Sequence, residues 1–495
     1  MLSTAIDASA VARVLGIKTE FVDLRGGVAF LPQRIAVVGQ GNTLATYSGD
    51  KRRVTSALEV ANRYGFGSPL HLAVRELFPA NGDGVGTLPV TVYPLQDDAA
   101  GVAAAGDITA TGTATEAGAY RVVISGVQSA RIVLDENDDA EGIVTKIAAA
   151  INAVLEMPVT ATADTTASSE KVDLAAKWKG ASGNDIFVEV DAPEDSAITF
   201  AVTQPVGGLN NPDVQPALDQ IGGVWETMIL NCLNVEDTDA LDAYSVFGEG
   251  RWGALERKPL IVFTGTAATT PQDAIVIPDA RKTDRVNVQL PAPGSPNLPL
   301  SFAARQLARI AVLANNNPPH DYGGRRVDGI TPGTDAEQWD YPQRDLAVQG
   351  GSSTVEVRDG VIHISDVVTF FHPTGDPTPA YRYVVDVVRL QNTIFNIDLK
   401  FKGADYDGVP FLPDDQPTVN PSAKSPKVAR ADAGAIVDAL GAQAILSDPE
   451  TAKAGIRVEI DGQNSKRWNM KIPVQLSGNS NIRSIDLDFG FFFGG

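Results

Sequence analysis

The sequence has one cysteine, four histidines and fewer basic residues than acidic ones, and no apolar run approaches the roughly eighteen residues that a membrane-crossing helix needs. Each shortage excludes something. Cys232 stands alone in an apolar run, 228–233, so it forms no intrachain disulfide and is expected as a small, inert core residue. His71, His320, His363 and His372 lie in no nucleophile or metal-ligand pattern, and no two are four residues apart as in helical zinc sites, so each reads as structural or solvent-facing. Forty Lys and Arg against 61 Asp and Glu leave a formal charge of -21, which repels a phosphate backbone and argues against nucleic acid as a partner. The same like charge holds free copies of the chain apart until something triggers association. The N-terminus has no basic stretch leading into an apolar one, so the product is expected to be soluble and made in a cytoplasm.

What is present is length and alternation. At 495 residues the chain has room for roughly two to four domains. The compact apolar run 34–39 reads as a buried strand, 56–64 and 69–78 as helices, and 89–94 as a second strand, an α/β alternation. From 96 to 205 Ala, Gly and Thr become dense. Short strands at 120–124, 130–134 and 186–190 around a helix at 143–155 suggest a compact α+β insertion with its own core. The α/β style resumes with 228–235, a helix at 240–247, the buried strand 260–263, the apolar triplet 275–277 and a strong helix at 301–314. A Pro-, Gly- and Asn-rich stretch, 315–351, reads as a long functional loop or a clamp over a neighbour, and 355–364 as a hairpin turning at Asp359-Gly360. A last module holds a helix at 381–395, a Pro-rich loop at 410–426, a helix at 433–440, and strands at 456–460 and 468–476, the latter with Ile472, Val474 and Leu476 on one face.

The chain ends on Ile485-Asp486-Leu487-Asp488-Phe489-Gly490-Phe491-Phe492-Phe493, whose period of two is that of a half-buried strand. It is either the last strand of this subunit's own sheet or a strand meant for another subunit. A second extended segment, 17–24, offers a similar arm at the other end.

Catalytic patterns are weak. Gly39-Gln40-Gly41-Asn42-Thr43-Leu44 follows a buried strand, where a dinucleotide pyrophosphate could sit, but Leu44 replaces the third small residue and loop follows where a helix should begin. The acidic clusters at 97–98 and 135–139 lack the closing glutamate of a calcium loop and read as solvated turns.

The runs 33–40, 61–70 (Ala-Asn-Arg-Tyr-Gly-Phe-Gly-Ser-Pro-Leu) and 298–304 (Leu-Pro-Leu-Ser-Phe-Ala-Ala), together with the 381–395 helix and the apolar tail, resemble the contractile tail sheath proteins of bacteriophages, most closely those of Mu-like phages. The resemblance implies a multidomain α/β and α+β chain: an N-terminal linker arm (1–25), a subtilisin-like α/β sheath core without catalytic residues (26–95 plus 206–378), an outward-facing α+β insertion (96–205), an inner α+β domain (379–480) and a C-terminal linker strand (481–495). It implies that the arms of neighbours join the inner domain's sheet, making Phe21, Asp23, Ile485, Leu487, Phe489 and Phe491 linkage residues. With that resemblance and the second arm, exchange between subunits is the favoured reading of the terminal strand, and Asp486 and Asp488 become charges that discourage uncontrolled edge pairing.

The function so implied is that of a non-enzymatic structural subunit without cofactors. It polymerises as stacked rings around a tail tube and contracts to drive the tube through the bacterial envelope for genome delivery. Partners are further copies of itself, the tube protein, and baseplate and tail terminator proteins, with no direct nucleic acid and no stable membrane insertion. Its place is the virion, after assembly in the host cytoplasm. Lys424, Lys427, Arg430, Lys466 and Arg467 stand out against the acidic chain, either as a solvated face or as residues meeting an acidic tube. The alternative is a soluble α/β nucleotide-binding enzyme using the loop 39–44.

Overall fold

The computed structural model describes residues 28–166, 170–193, 196–376, 380–487 and 489. The expected strand at 17–24, with Phe21 and Asp23, lies outside the described residues, as do Asp488 and Phe491. Two compact units divide the chain. Among the described residues the larger holds those of 31–394 and 479–489, the smaller 28–30 and 395–478, and the division falls inside the helix Val384–Phe401.

In the larger unit a six-stranded sheet runs in the order Asn287–Pro291, Ile261–Thr266, Met228–Asn231, Ile35–Gln40, Val90–Leu95, Arg52–Val54. The first five are parallel and Arg52–Val54 is an antiparallel edge. Ile35–Gln40 is buried at every residue because both faces are covered. Ile35 and Val37 face a cluster with Leu70, Val74 and Leu77 of the helix Pro69–Leu77 and Phe302, Leu307 and Ile310 of the helix Pro299–Asn316. Ala36 and Val38 face the other way, onto Leu218 and Ile221 of Gln215–Ile221 and Tyr244 of Thr238–Trp252. Along the chain the parallel strands are laid second, first, third, fourth and fifth, so Ile35–Gln40 sits where the winding reverses. The apolar triplet Ile275, Val276 and Ile277 belongs to the helix Pro271–Asp279, and the strand Asn287–Pro291 completes the sheet.

Between Val90–Leu95 and Gln215–Ile221 the chain builds two four-stranded antiparallel sheets and the helix Ala140–Asn152, whose first turn is capped by Asp139. One sheet is Val188–Asp191, Gly118–Ile124 and Val127–Gln128, with Ile132–Leu134 also on Gly118–Ile124. The other runs Thr199–Val206, Ala105–Thr111, Lys171–Ala176, Val159–Asp164. Tyr120, Ile143, Leu174 and Trp178 belong to the same buried cluster as Ile35 and Leu70, so this segment does not close off a core of its own.

The stretch 315–351 is more ordered than its composition suggests. It contains Arg326–Val327, third strand of a small sheet, and the helix Tyr341–Gln349, begun by a reciprocal capping box between Asp340 and Gln343. Thr354–Arg358 and Val361–Asp366 form the hairpin, and Asp359 and Gly360 both have positive φ, 51° and 72°, as a two-residue turn with the strands' own twist requires.

The smaller unit packs Ala433, Val437 and Leu440 of the helix Pro426–Ala442 against Ile445, Ile456 and Val458. The expected strand 468–476 is interrupted around Pro473 into Trp468–Lys471, paired with Arg457–Ile460, and Gln475–Leu476, paired with Leu446–Ser447. Trp468, Met470, Ile472, Val474 and Leu476 pack on this core from one face and stay half-buried. Trp468 stacks on Phe411 with ring centroids 5.1 Å apart, beside Phe401 and Tyr406.

Candidate functional site

In a doubly wound sheet the first place to look for chemistry is beyond the carboxyl ends of the strands where the winding reverses. Here that place is the loop 39–44, and it is already full. The Gly41 N–H donates to the Tyr47 hydroxyl at 3.0 Å, Asn42 to the Tyr64 carbonyl at 2.7 Å, Thr43 to the Lys177 carbonyl at 2.8 Å, and Leu44 to Asn42 Oδ1 at 2.9 Å. A phosphate would find these donors spent. The glycines serve packing: a Cβ on Gly39 would lie 2.7 Å from Cys232 Cβ, and one on Gly41 would strike the Tyr47 ring. Burial pushes the Tyr47 phenol up to about 12, so it remains a neutral partner in this contact.

Nearby, a crevice of about 730 Å³ lies past the strands Val90–Leu95 and Met228–Asn231, lined by Asp98, Asp213, Glu236, Asp237 and Asp239, with no Lys or Arg among its described lining residues. Asn211 ties it together by donating to Asn234 Oδ1 and Asp237 Oδ2 at 3.1 and 2.9 Å. Burial, reinforced by the charge of Glu236, pushes the Asp185 carboxyl up to about 7, and burial also raises Glu236. Such a surface repels an anionic nucleotide. The nucleotide-binding alternative is therefore not favoured.

The four histidines hold local contacts. His71 Nδ1 accepts the Gly67 N–H at 3.1 Å, and burial lowers its pKa to about 4; the rings of His320, His363 and His372 each contact a nearby backbone carbonyl at 2.7 to 3.0 Å. Cys232 is buried, and burial raises its thiol pKa. The acidic turn at 135–139 is satisfied by Lys146, bonded to Asp135 at 3.0 Å and Asp138 at 2.5 Å.

The surfaces that remain open are backbone outside any strand and exposed apolar side chains. From Asn479 to Leu487 no residue is in a strand, and Ile482, Ile485, Leu487 and Phe489 are 87, 81, 80 and 83% exposed. The alternation read from the sequence thus finds no partner strand in this chain among the described residues. In the smaller unit Arg457–Ile460 is paired along one side only among the described residues, which makes it a sheet edge.

Lys424, Lys427 and Arg430 come together around the start of Pro426–Ala442. Lys424 Nζ lies 5.4 Å from the Tyr406 ring centroid, the Lys427 N–H donates to Asp414 Oδ1 at 2.6 Å, and Lys427 and Arg430 are exposed. That backbone bond is the main reason the Asp414 carboxyl titrates below its usual range. Lys466 and Arg467 sit apart, in the turn before Trp468–Lys471, where Arg467 donates to Asn469 Oδ1 at 2.9 Å. Charge is unevenly divided. Residues 395–478 carry ten Lys and Arg against eleven Asp and Glu, whereas 96–205 carries six against eighteen.

No family model matches the chain. The Mu-like prophage FluMu tail sheath protein of Haemophilus influenzae is 25% identical over 446 residues, covering 87% of this chain and 88% of the relative. Two solved structures, sheath tail proteins from Listeria innocua and Desulfitobacterium hafniense, align over 92% and 94% of this chain and 94% and 100% of their own, at TM-scores of 0.48 and 0.47 and identities of 11% and 12%. The sequence resemblance to a Mu-like tail sheath protein therefore extends along most of the chain.

Proposed function

We propose that this chain is a structural subunit of a contractile phage tail sheath, not an enzyme, and that it polymerises as stacked rings around a tail tube and drives the tube through the bacterial envelope by contraction. The near full-length likeness to a tail sheath relative supports the class of function. The observation that carries the mechanism is the C-terminal segment, outside any strand, apolar on alternate residues and without a partner strand in its own chain among the described residues. The arm joins a neighbour's sheet by strand addition, with Ile485, Leu487, Phe489 and Phe491 as anchors, and the N-terminal arm with Phe21 and Asp23 does the same. Each large side chain contributes about 1.5 to 3 kcal/mol on burial, much of which is offset by ordering the arm's backbone at about 1 to 2 kcal/mol per residue. One joint is then weak, and a lattice in which each subunit is held by several joints is strong. Modest joints also let rigid cores repack during contraction without parting.

The domains follow the same reading: the insertion 96–205 faces outward and the domain 379–480 faces the tube, with baseplate and tail terminator proteins closing the ends of the sheath in the virion. Negative-stain electron microscopy of purified protein tests it. Rings or tubes are expected, and removal of residues 484–495 should give folded subunits that no longer polymerise. Compact monomers at high concentration would sink the sheath reading, and polymers like those of the full chain from the truncated protein would show that the tail is not the joint.

A further inference from the structure

The arm does not leave the larger unit as a loose end. Arg389, in the helix Val384–Phe401, is 1% exposed, and its guanidinium is held by three groups that come from three parts of the sequence. Nη1 donates to Asp386 Oδ1 at 2.5 Å, and Nη2 donates to the Pro319 carbonyl at 2.6 Å and to Asn479 Oδ1 at 2.5 Å. Asn479 closes the ring by donating from Nδ2 to the same Pro319 carbonyl at 3.0 Å. Two residues further along the arm, the Asn481 side chain helps to hold down the carboxyl of Asp321, which burial otherwise pushes up. Burial likewise raises Asp386 in spite of the arginine beside it. Beyond these contacts the side chains of Ile482, Ile485 and Leu487 turn to solvent.

We infer that Arg389 and Asn479 form a clamp that fixes the point from which the C-terminal arm departs, so that the arm pivots beyond residue 481. Arg389 and Asn479 are positioning residues. The charge is buried, and hydrogen bonds to a buried charge are the strong ones. Asn479 is the clamp's contribution from the arm, since without it Nη2 keeps only the Pro319 carbonyl. The inference deepens the proposal that the arm links subunits by naming what sets its root, and the clamp itself can be read out on an unassembled subunit.

Because Cys232 is buried, Ser480→Cys supplies a single accessible thiol for a nitroxide label on the full chain. The labelled protein should give a largely immobilised spectrum, and adding Asn479→Ala should reduce the immobilised fraction severalfold while the far-ultraviolet circular dichroism stays that of the parent. Asn479→Asp, which offers Arg389 a charged acceptor, should restore immobilisation. Equal label mobility in the parent and Asn479→Ala proteins would overturn the clamp, as would Asn479→Asp behaving like the alanine variant. If Asn479→Ala does not fold, the parent and Asn479→Asp proteins must both remain immobilised for the clamp to stand. In polymers, a broader spread of ring spacing from Asn479→Ala is expected. Failure of the full chain to polymerise would count against the sheath reading and leave the spin-label result intact.

Discussion

Asp185 shows how a residue can carry a cost visible only as pH changes. It ends the short turn Ala181–Asp185, and burial with the neighbouring Glu236 raises its carboxyl from an ordinary value near 3.8 to about 7. The folded state therefore holds a proton that the unfolded state releases. Its contribution is fully present below about pH 4 and is lost as pH rises toward 7, because the unfolded chain gains by ionising first. Asp185→Asn keeps the shape and removes the titration. The variant should match the parent at pH 4 and be more stable at pH 8, by no more than about 4 kcal/mol at roughly 1.4 per pH unit. Urea unfolding of unassembled subunits at the two pH values reads this directly, and an equal difference at both would mean that Asp185 is not held protonated.

At the scale of elements, what could be read from the sequence depended on how burial writes itself into residue order. Ile35–Gln40, Met228–Asn231 and Ile261–Thr266 are covered on both faces, so their continuous apolar runs are unambiguous, and Asp359-Gly360 announces its turn by backbone conformation alone. Ala105–Thr111, Val159–Asp164 and Lys171–Ala176 escaped because Ala, Gly and Asp fill positions where a strand pattern would show Val or Ile, and pairing within their sheet outweighs that weak propensity. The apolar alternation of the tail was legible, whereas the clamp at its root was not, since Pro319, Asn479 and the Asp386–Arg389 pair of one helix are joined only by the fold. The helix Tyr341–Gln349 lay hidden in a Pro- and Gly-rich stretch because it buries only Ala347 and has no apolar stripe, although Asp340 and Gln343 were a start signal. So exposed a helix leans on its cap. Asp340→Ala should cost about 1 kcal/mol locally, or roughly fivefold faster amide exchange across 341–349, and unchanged exchange there would show that the cap is dispensable.

Over the whole molecule the charge of -21 is concentrated away from the smaller unit, whose segment 395–478 is nearly balanced, while 96–205 holds a threefold excess of acids. If the insertion faces outward and the smaller unit faces the tube, repulsion between neighbouring subunits and attraction to an acidic tube answer to different residues and respond oppositely to salt. Shortening the screening length from about 10 Å at 0.1 M to about 3 Å at 1 M should ease self-association, because it weakens acid against acid while apolar contacts persist. The same change should weaken any contact made by Lys427 and Arg430, whose side chains are exposed at the beginning of a helix, where the macrodipole disfavours cations and Asp414 is the near counter-charge. The double substitution Lys427→Glu and Arg430→Glu separates these effects. Light scattering of the variant alone should show polymers forming with the parent's salt dependence, while sedimentation with assembled tail tubes should show tube binding lost at low salt, where the parent binds best. Tube binding equal to the parent's would move the tube-facing surface away from this helix start, and loss of polymers in the absence of tubes would instead place Lys427 and Arg430 in the contact between subunits.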